Sequence, residues 1–236
     1  MIVNIFIITC LLSIYSCTDI DYCYLPCKDP FTSAIIENTA CNCNSGPSCG
    51  KSLSILPPTL KEKEYITDIH NEIRNKLAGG NETRGGNTAA SNMAAVVYDD
   101  SIEHVAQCHA NQCMPSTDEC RRTERFLMIG QNFYLTYGDP CQSTAVFKAA
   151  IDTWHEDVSS TNKLCLEQYT GCASHYTQII WADTTNIGCG RVLFGDICHI
   201  FCNYGPTGNI NGQSVYISGK PNCIKTSHVM LSQVVC

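Results

Sequence analysis

Eighteen cysteines in 236 residues constrain this chain more than any other feature of its sequence. Two of them, Cys10 and Cys17, fall in a segment that opens with the apolar run Ile5-Phe6-Ile7-Ile8-Thr9-Cys10-Leu11-Leu12-Ser13-Ile14. That run is too short and too N-terminal for a stable membrane span. Residues 1–17 are therefore expected to be a secretory signal peptide, cleaved near Ser16 to Thr18, although no Lys or Arg precedes the run. Sixteen cysteines remain. A dense, even set in a secreted chain reads as a disulfide framework, and the expected location is extracellular. A metal cluster is the competing reading. It lacks support, because Cys41-Asn42-Cys43 and the other spacings contain no paired C-x-x-C knuckles.

Charge narrows the partners further. The net charge is −7, with no Lys/Arg cluster and no basic stripe. Nucleic-acid binding and electrostatic attachment to anionic lipid are not expected. No later stretch is apolar enough to cross a bilayer. Asn81-Glu82-Thr83 is an N-glycosylation sequon in a polar, Gly-rich stretch, which makes Asn81 a candidate acceptor; such triplets also arise by chance.

The length allows one sizeable core. Residues 18–58 form a Cys-rich extension with little periodicity, closed by Pro57-Pro58. Thr59-Leu60-Lys61-Glu62 is a capping box, followed by Ile66, Ile69, Ile73 and Leu77 at helical spacing and a Gly79-Gly80 stop. Asp100-Ser101-Ile102-Glu103 reads as a second capping box, opening a helix with Ile102, Val105, Ala106, Ala110 and Cys113 on one stripe. A strand is expected over Met128 to Leu135. A third helix should present Val146, Phe147, Ala150, Ile151, Trp154 and Val158, and a short helix should cover His175 to Ala182. Ile187 to Phe194 and Cys198 to Tyr204 read as an antiparallel hairpin turning at Gly195-Asp196, and Gly138-Asp139 as another turn. Helices mixed with an antiparallel sheet argue for a layered α+β fold.

Two late segments carry a family resemblance. They are Ser174-His175-Tyr176-Thr177-Gln178-Ile179-Ile180-Trp181-Ala182-Asp183-Thr184 and His199-Ile200-Phe201-Cys202-Asn203-Tyr204-Gly205-Pro206-Thr207-Gly208-Asn209-Ile210. Further matches are His70-Asn71 with Arg74, Ala110-Asn111-Gln112-Cys113, Gly130-Gln131-Asn132 and Ile187-Gly188-Cys189-Gly190. In this order they resemble the CAP superfamily of cysteine-rich secretory, antigen 5 and pathogenesis-related 1 proteins. The extension, with Asp21-Tyr22-Cys23, Cys27, Thr39-Ala40-Cys41 and Cys49-Gly50, is similar to insect venom and salivary antigen 5 in particular. The resemblance implies a three-layer α-β-α sandwich over residues 59–210, with residues 211–236 as a short Cys-containing tail. It also implies the bridges Cys23–Cys41, Cys27–Cys120, Cys49–Cys113 and Cys189–Cys202. Cys223 with Cys236, and Cys165 with Cys172, are candidates to close local loops. Cys43, Cys108, Cys141 and Cys198 stay unassigned.

The same resemblance implies a central cavity of two histidines and two acidic residues. Its positions fall here on Thr117, Gln131, Asp157 and His175. A neutral amide is no general base, and a Thr hydroxyl is a poor zinc ligand at neutral pH. His175 and Asp157 alone are weak metal candidates, so no metal or other cofactor is expected. His155, about 100° around its helix from Trp154, reads with His104 and His109 as solvated or partly buried. Phe201, Tyr204, Trp181 and Tyr176 read as core packing, with a surface lipid groove as the lesser reading. No Arg precedes either Gly-Asp pair, so there is no Arg-Gly-Asp tripeptide, and the tail has too few cysteines for an ion-channel-blocking domain.

The expected function is a secreted, monomeric, non-enzymatic antigen 5-like protein. It would bind a small hydrophobic ligand such as a lipid, or a host extracellular protein. Two alternatives remain: a hydrolase using His175 and Asp157 beside Ser174, or an inert disulfide-hardened scaffold.

Overall fold

Thr59 starts the first long helix. Its hydroxyl accepts from the Glu62 amide at 3.3 Å, and the Glu62 carboxylate accepts from the Thr59 amide at 2.8 Å. The helix α1 (Leu60–Ala78) ends where Gly79 caps it and Gly80 turns at φ +74°. Ile66 and Leu77 are buried, with Ile69 and Ile73 packed against the same core. The chain is seen here as a computed structural model that describes residues 20–220. The expected leader at 1–17 and the expected Cys223–Cys236 closure lie outside the described residues.

The second helix corrects one expectation. α2 (Asp100–Ala110) is capped by Asp99, not by Asp100. Asp99 has the extended backbone a cap needs, and its carboxylate accepts from the Ser101 and Ile102 amides and the Ser101 hydroxyl. Asp100 instead pairs with Lys63 of α1 at 2.8 Å. The helices α3 (Ala145–Glu156), α4 (Lys163–Glu167) and α5 (Ser174–Ile179) follow. Helix α5 is shorter than the pattern suggested; it ends at Ile179, where the Ile179, Trp181, Ala182 and Thr184 carbonyls accept from Arg74.

Seven short and long strands are described: β1 (Cys27–Lys28), β2 (Ile35–Ile36), β3 (Leu53–Ile55), β4 (Val97–Tyr98), β5 (Gly130–Tyr137), β6 (Asn186–Phe194) and β7 (Ile197–Gly205). β1 and β2 pair as a separate antiparallel ribbon in the extension. The other five make the central sheet in the order β3-β6-β7-β5, with β4 running parallel along the edge of β6 beyond β3. The β6–β7 hairpin turns at Gly195, φ +60°, and brings Cys189 opposite Cys202. β5 begins two residues later than Met128; Leu127 and Met128 stay exposed before it.

Both faces of the sheet are covered, which is why nearly every residue of β6 and β7 is buried. Ile187, Cys189, Ile200, Cys202 and Tyr204 join the main core with α1, α3 and α5. Val192, Phe194 and Phe201 form a second cluster under the end of α2. Gly188 and Gly190 make that second layer possible. A Cβ at Gly188 would lie 2.2 Å from the Glu103 amide, and one at Gly190 2.5 Å from the Gln107 backbone.

Seven disulfides lock this arrangement among the described residues. The extension is stitched to α2 and the loop after it by Cys27–Cys120, Cys43–Cys108 and Cys49–Cys113, and is closed on itself by Cys23–Cys41. Cys189–Cys202 crosses the hairpin, and Cys165–Cys172 closes its loop. The two bridges that the resemblance left open are Cys43–Cys108 and Cys141–Cys198.

Candidate functional site

The two signature segments meet through buried polar groups. Arg74 of α1 is fully buried and spends all five N–H donors on backbone carbonyls. Nε bonds Ala94, Nη1 bonds Ile179 and Trp181, and Nη2 bonds Ala182 and Thr184, at 2.7–3.2 Å. Burial pushes its pKa down to about 9. His70, one turn earlier, faces the Ile66 carbonyl through Nδ1 at 2.7 Å and the Tyr204 hydroxyl through Nε2 at 3.0 Å. A carbonyl only accepts, so Nδ1 carries the proton and Nε2 accepts from the tyrosine. Burial pushes the His70 pKa down to about 4, which keeps the ring neutral. Asn132 completes the chain, donating to the Tyr204 hydroxyl and to the His175 carbonyl.

The side chain of His175 points to a rim. Its Nδ1 lies 2.9 Å from Asp157 Oδ2, and the two side chains are 41% and 38% exposed. Trp154 stacks on the imidazole with ring centroids 6.4 Å apart. Asp157 caps the end of α3 three residues beyond Trp154, which is how these two residues reach α5.

Gln131 does not turn toward that pair. It lies opposite Asn203 in the β5–β7 register, and its Nε2 donates to Asn203 Oδ1 at 2.8 Å and to Asp118 Oδ1 at 3.0 Å. Strand alternation puts its neighbour Asn132 on the other face, toward His175. Thr117 is exposed on the wall of a cavity of about 380 Å³ between the extension and the loop after α2. The structure thus joins His175 with Asp157, and Gln131 with Asp118, across the edge strand β5.

Asp118 is the residue that sequence reasoning passed over. It follows Thr117 directly, in the loop between Cys113 and Cys120. Burial alone would raise its carboxyl. The Arg121 and His109 charges and the Thr39 hydroxyl outweigh burial and hold the carboxyl below the usual range. Thr39 Oγ1 and Arg121 Nε both approach to 2.5 Å. This carboxylate is consumed by structural partners.

The other histidines divide. His104 is exposed, and His155 is half-buried with Nε2 3.4 Å from Glu82. His109 departs from the expectation of a solvated or partly buried ring. It is fully buried, bonds the Ser116 carbonyl through Nε2 at 2.6 Å and packs edge-on to Phe201, because α2 lies flat on the sheet there. Glu82, inside the sequon, is gripped by Lys76 and Arg84 at 2.8 Å, while Asn81 itself is exposed.

The donor set does not fit a stable divalent metal. His175 and Asp157 provide one imidazole and one carboxylate that already bond each other, and Gln131 is engaged elsewhere. Two other clusters of candidate ligand atoms, Cys23/Glu37/Cys41 and Cys43/His104/Cys108, are built on disulfide sulfurs, which offer no thiolate. Among the described residues, no hydrogen bond joins the Ser174 hydroxyl to a histidine. A groove of about 310 Å³ runs along Phe126, Leu127, Met128, Pro206 and Ile210, with Arg125 at its rim. No helix among the described residues is long and apolar enough to cross a membrane.

Comparison with known proteins agrees with this architecture. The description of the CAP, cysteine-rich secretory protein family matches residues 67–204. Venom allergen 5 of the wasp Polistes dominula is 33% identical over 206 residues, covering 83% of this chain and 89% of that protein. Venom allergen 5 of Brachyponera chinensis is 34% identical, covering 72% and 90%. Among solved structures, NaASP2 with Zn2+ superposes with a TM-score of 0.61 at 24% identity, covering 69% of this chain and 88% of that one. Schistosoma mansoni venom allergen-like protein 4 gives 0.56 at 21% identity, covering 68% and 97%. These likenesses establish the α-β-α sandwich.

Proposed function

The chain belongs to the CAP, cysteine-rich secretory protein family and is similar to venom allergen 5 over most of its length; from that premise we propose a secreted, non-enzymatic binding protein of venom or saliva, and a candidate allergen. Its ligand is a small apolar mediator such as a lipid, or an extracellular protein of a host. The observation that carries the non-enzymatic reading is the engagement of Gln131. A neutral amide fixed between Asp118 and Asn203 leaves His175–Asp157 without a second carboxylate. A hydrolase of this kind needs a nucleophile and a proton-transferring partner in reach of each other. The zinc of NaASP2 is not carried over, because the donor set here is one histidine and one aspartate.

The apolar groove beside Arg125 supports the small-ligand version, since its lining suits a hydrocarbon chain and its rim a negative headgroup. We read residues 1–17 as the leader, Asn81 as glycosylated and Cys223–Cys236 as the bridge closing the tail. Peptidase and esterase turnover of wild type and His175→Ala tests the main reading. Equal background rates are expected; turnover that His175→Ala abolishes would replace binding with hydrolysis. Native mass spectrometry of protein from its own source should show a bound lipid if the groove is the site. Bare mass with no retained lipid would remove the small-ligand version.

A further inference from the structure

The extension presents one aromatic side chain in a way that a packed core does not explain. Phe31 is 94% exposed at the tip of the β1–β2 ribbon. The tip is preorganised around Asp29. One carboxylate oxygen accepts from the Phe31 amide at 2.9 Å, the Thr32 amide at 2.6 Å and the Thr32 hydroxyl at 2.8 Å. The backbone closes the same turn through Asp29 N to Ala34 O and Ser33 N to Asp29 O. Below the tip, Cys27–Cys120 bolts β1 to the loop after α2, and Cys23–Cys41 brackets the ribbon. Buried Asn38 ties its base to the Leu25 and Arg122 carbonyls, each at 2.9 Å. Ile35 on this ribbon and Tyr24 in the turn before it are also exposed.

At the foot of β2 lies the 380 Å³ cavity described above. Glu37, Asp118 and Glu119 line it, and no Lys or Arg does. Arg121 neutralises Asp118, but Glu37 and Glu119 are exposed.

We infer that this ribbon and cavity form a docking surface for an extracellular protein that offers an apolar pocket of aromatic size beside a basic rim. The inference rests on the binding reading above and names its protein version. A rigid aromatic anchor loses little conformational freedom on association, which is what a disulfide-braced tip provides. Exposed acidic groups beside it complement a basic partner and speed encounter. A lipid surface is the disfavoured occupant: Lys28 is the one cation on the ribbon, and anionic headgroups repel Asp29, Glu37 and Glu119.

The test uses the full mature chain against an array of purified vertebrate plasma and cell-surface proteins. Wild type, Phe31→Ala, the double variant Glu37→Gln/Glu119→Gln, and Leu164→Ala as an exposed apolar control on α4 are compared. Phe31 touches no core, so all four should keep wild-type circular dichroism and melting behaviour. Binding to an array protein should weaken roughly tenfold or more in Phe31→Ala and stay within about twofold in Leu164→Ala. The double variant should lose association rate, with a flatter dependence on salt. Equal binding by wild type and Phe31→Ala overturns the surface while leaving a binding function intact. No array protein bound also overturns it, as does Phe31-dependent binding to phosphatidylcholine vesicles without any protein partner. Hydrolytic turnover by the intact chain would instead sink the underlying non-enzymatic reading.

Discussion

The two faces of the central sheet satisfy buried polarity to different degrees. On the face toward α1, α3 and α5, Arg74 satisfies five donors and His70 both ring nitrogens. The Tyr176 hydroxyl of α5 is a buried group on that face without a hydrogen-bond partner, whereas on the face toward α2 the Gln131 Oε1, Asn203 Nδ2, His109 Nδ1 and His199 Nδ1 atoms all lack one. A satisfied buried network fixes one geometry, whereas orphaned groups cost desolvation without specifying structure. The first face therefore explains why the signature segments are shaped as they are. The second is where one of the four cavity positions, Gln131, is held by Asp118 and Asn203 instead of facing His175.

This contrast breaks most visibly at Arg74. Replacing it with Met orphans five carbonyls at once, and the expected loss is about 4 kcal/mol or more in denaturant unfolding. A loss under about 1 kcal/mol would mean the carbonyls find other partners and the inner face is not special. Glu62 is next. It caps α1 and also pairs with Arg191 of β6 at 2.9 Å, both buried. Glu62→Ala leaves a buried guanidinium and should cost about 3–5 kcal/mol in the same measurement.

Acid sharpens the comparison further. Burial pushes His70 and His199 down to about 4 from an ordinary 6.5, with His109 adding repulsion at His199. Both rings are neutral in the fold but protonate earlier in the unfolded chain. Their stabilising contribution is thus complete above about pH 6.5 and is lost as pH falls toward 4. The slope is up to about 1.4 kcal/mol per pH unit for each ring. His199 sits among Phe133, Phe194 and Phe201, so His199→Leu should flatten the melting temperature against pH over that window. An unchanged slope would leave His70, together with His155, whose partial burial also pushes its pKa down, as the source. The smallest effect is expected at the rim: Asp157→Asn should change stability by less than about 1 kcal/mol, because the His175 pair is half-exposed.

Much of the fold was legible because local chemistry decided it. The Thr59–Glu62 box, the Gly79-Gly80 stop and the Gly195-Asp196 turn are each set within four residues. The α2 cap shows the limit: Asp99 and Asp100 both suit a cap, and only the position of Lys63 separates them. For the candidate site, His175 and Asp157 were found by their places in a known pattern, and they do meet. Asp118 was missed because an acidic residue in a loop carries no period, and its role depends on Thr39 and Gln131, which are distant in sequence, as well as on nearby Arg121.

The sequence by itself determined the layered architecture through residue order and local spacing, and its resemblance to the CAP family implied the bridges that link Cys23, Cys27, Cys49 and Cys189 to their partners. Tertiary structure alone decided three things. It paired Cys43 with Cys108 and Cys141 with Cys198, it turned Gln131 away from His175, and it raised Phe31 on a braced tip. Each depends on which direction a side chain leaves its turn, helix or strand and what folding brings across the gap, and neither is written in the order of residues along one element.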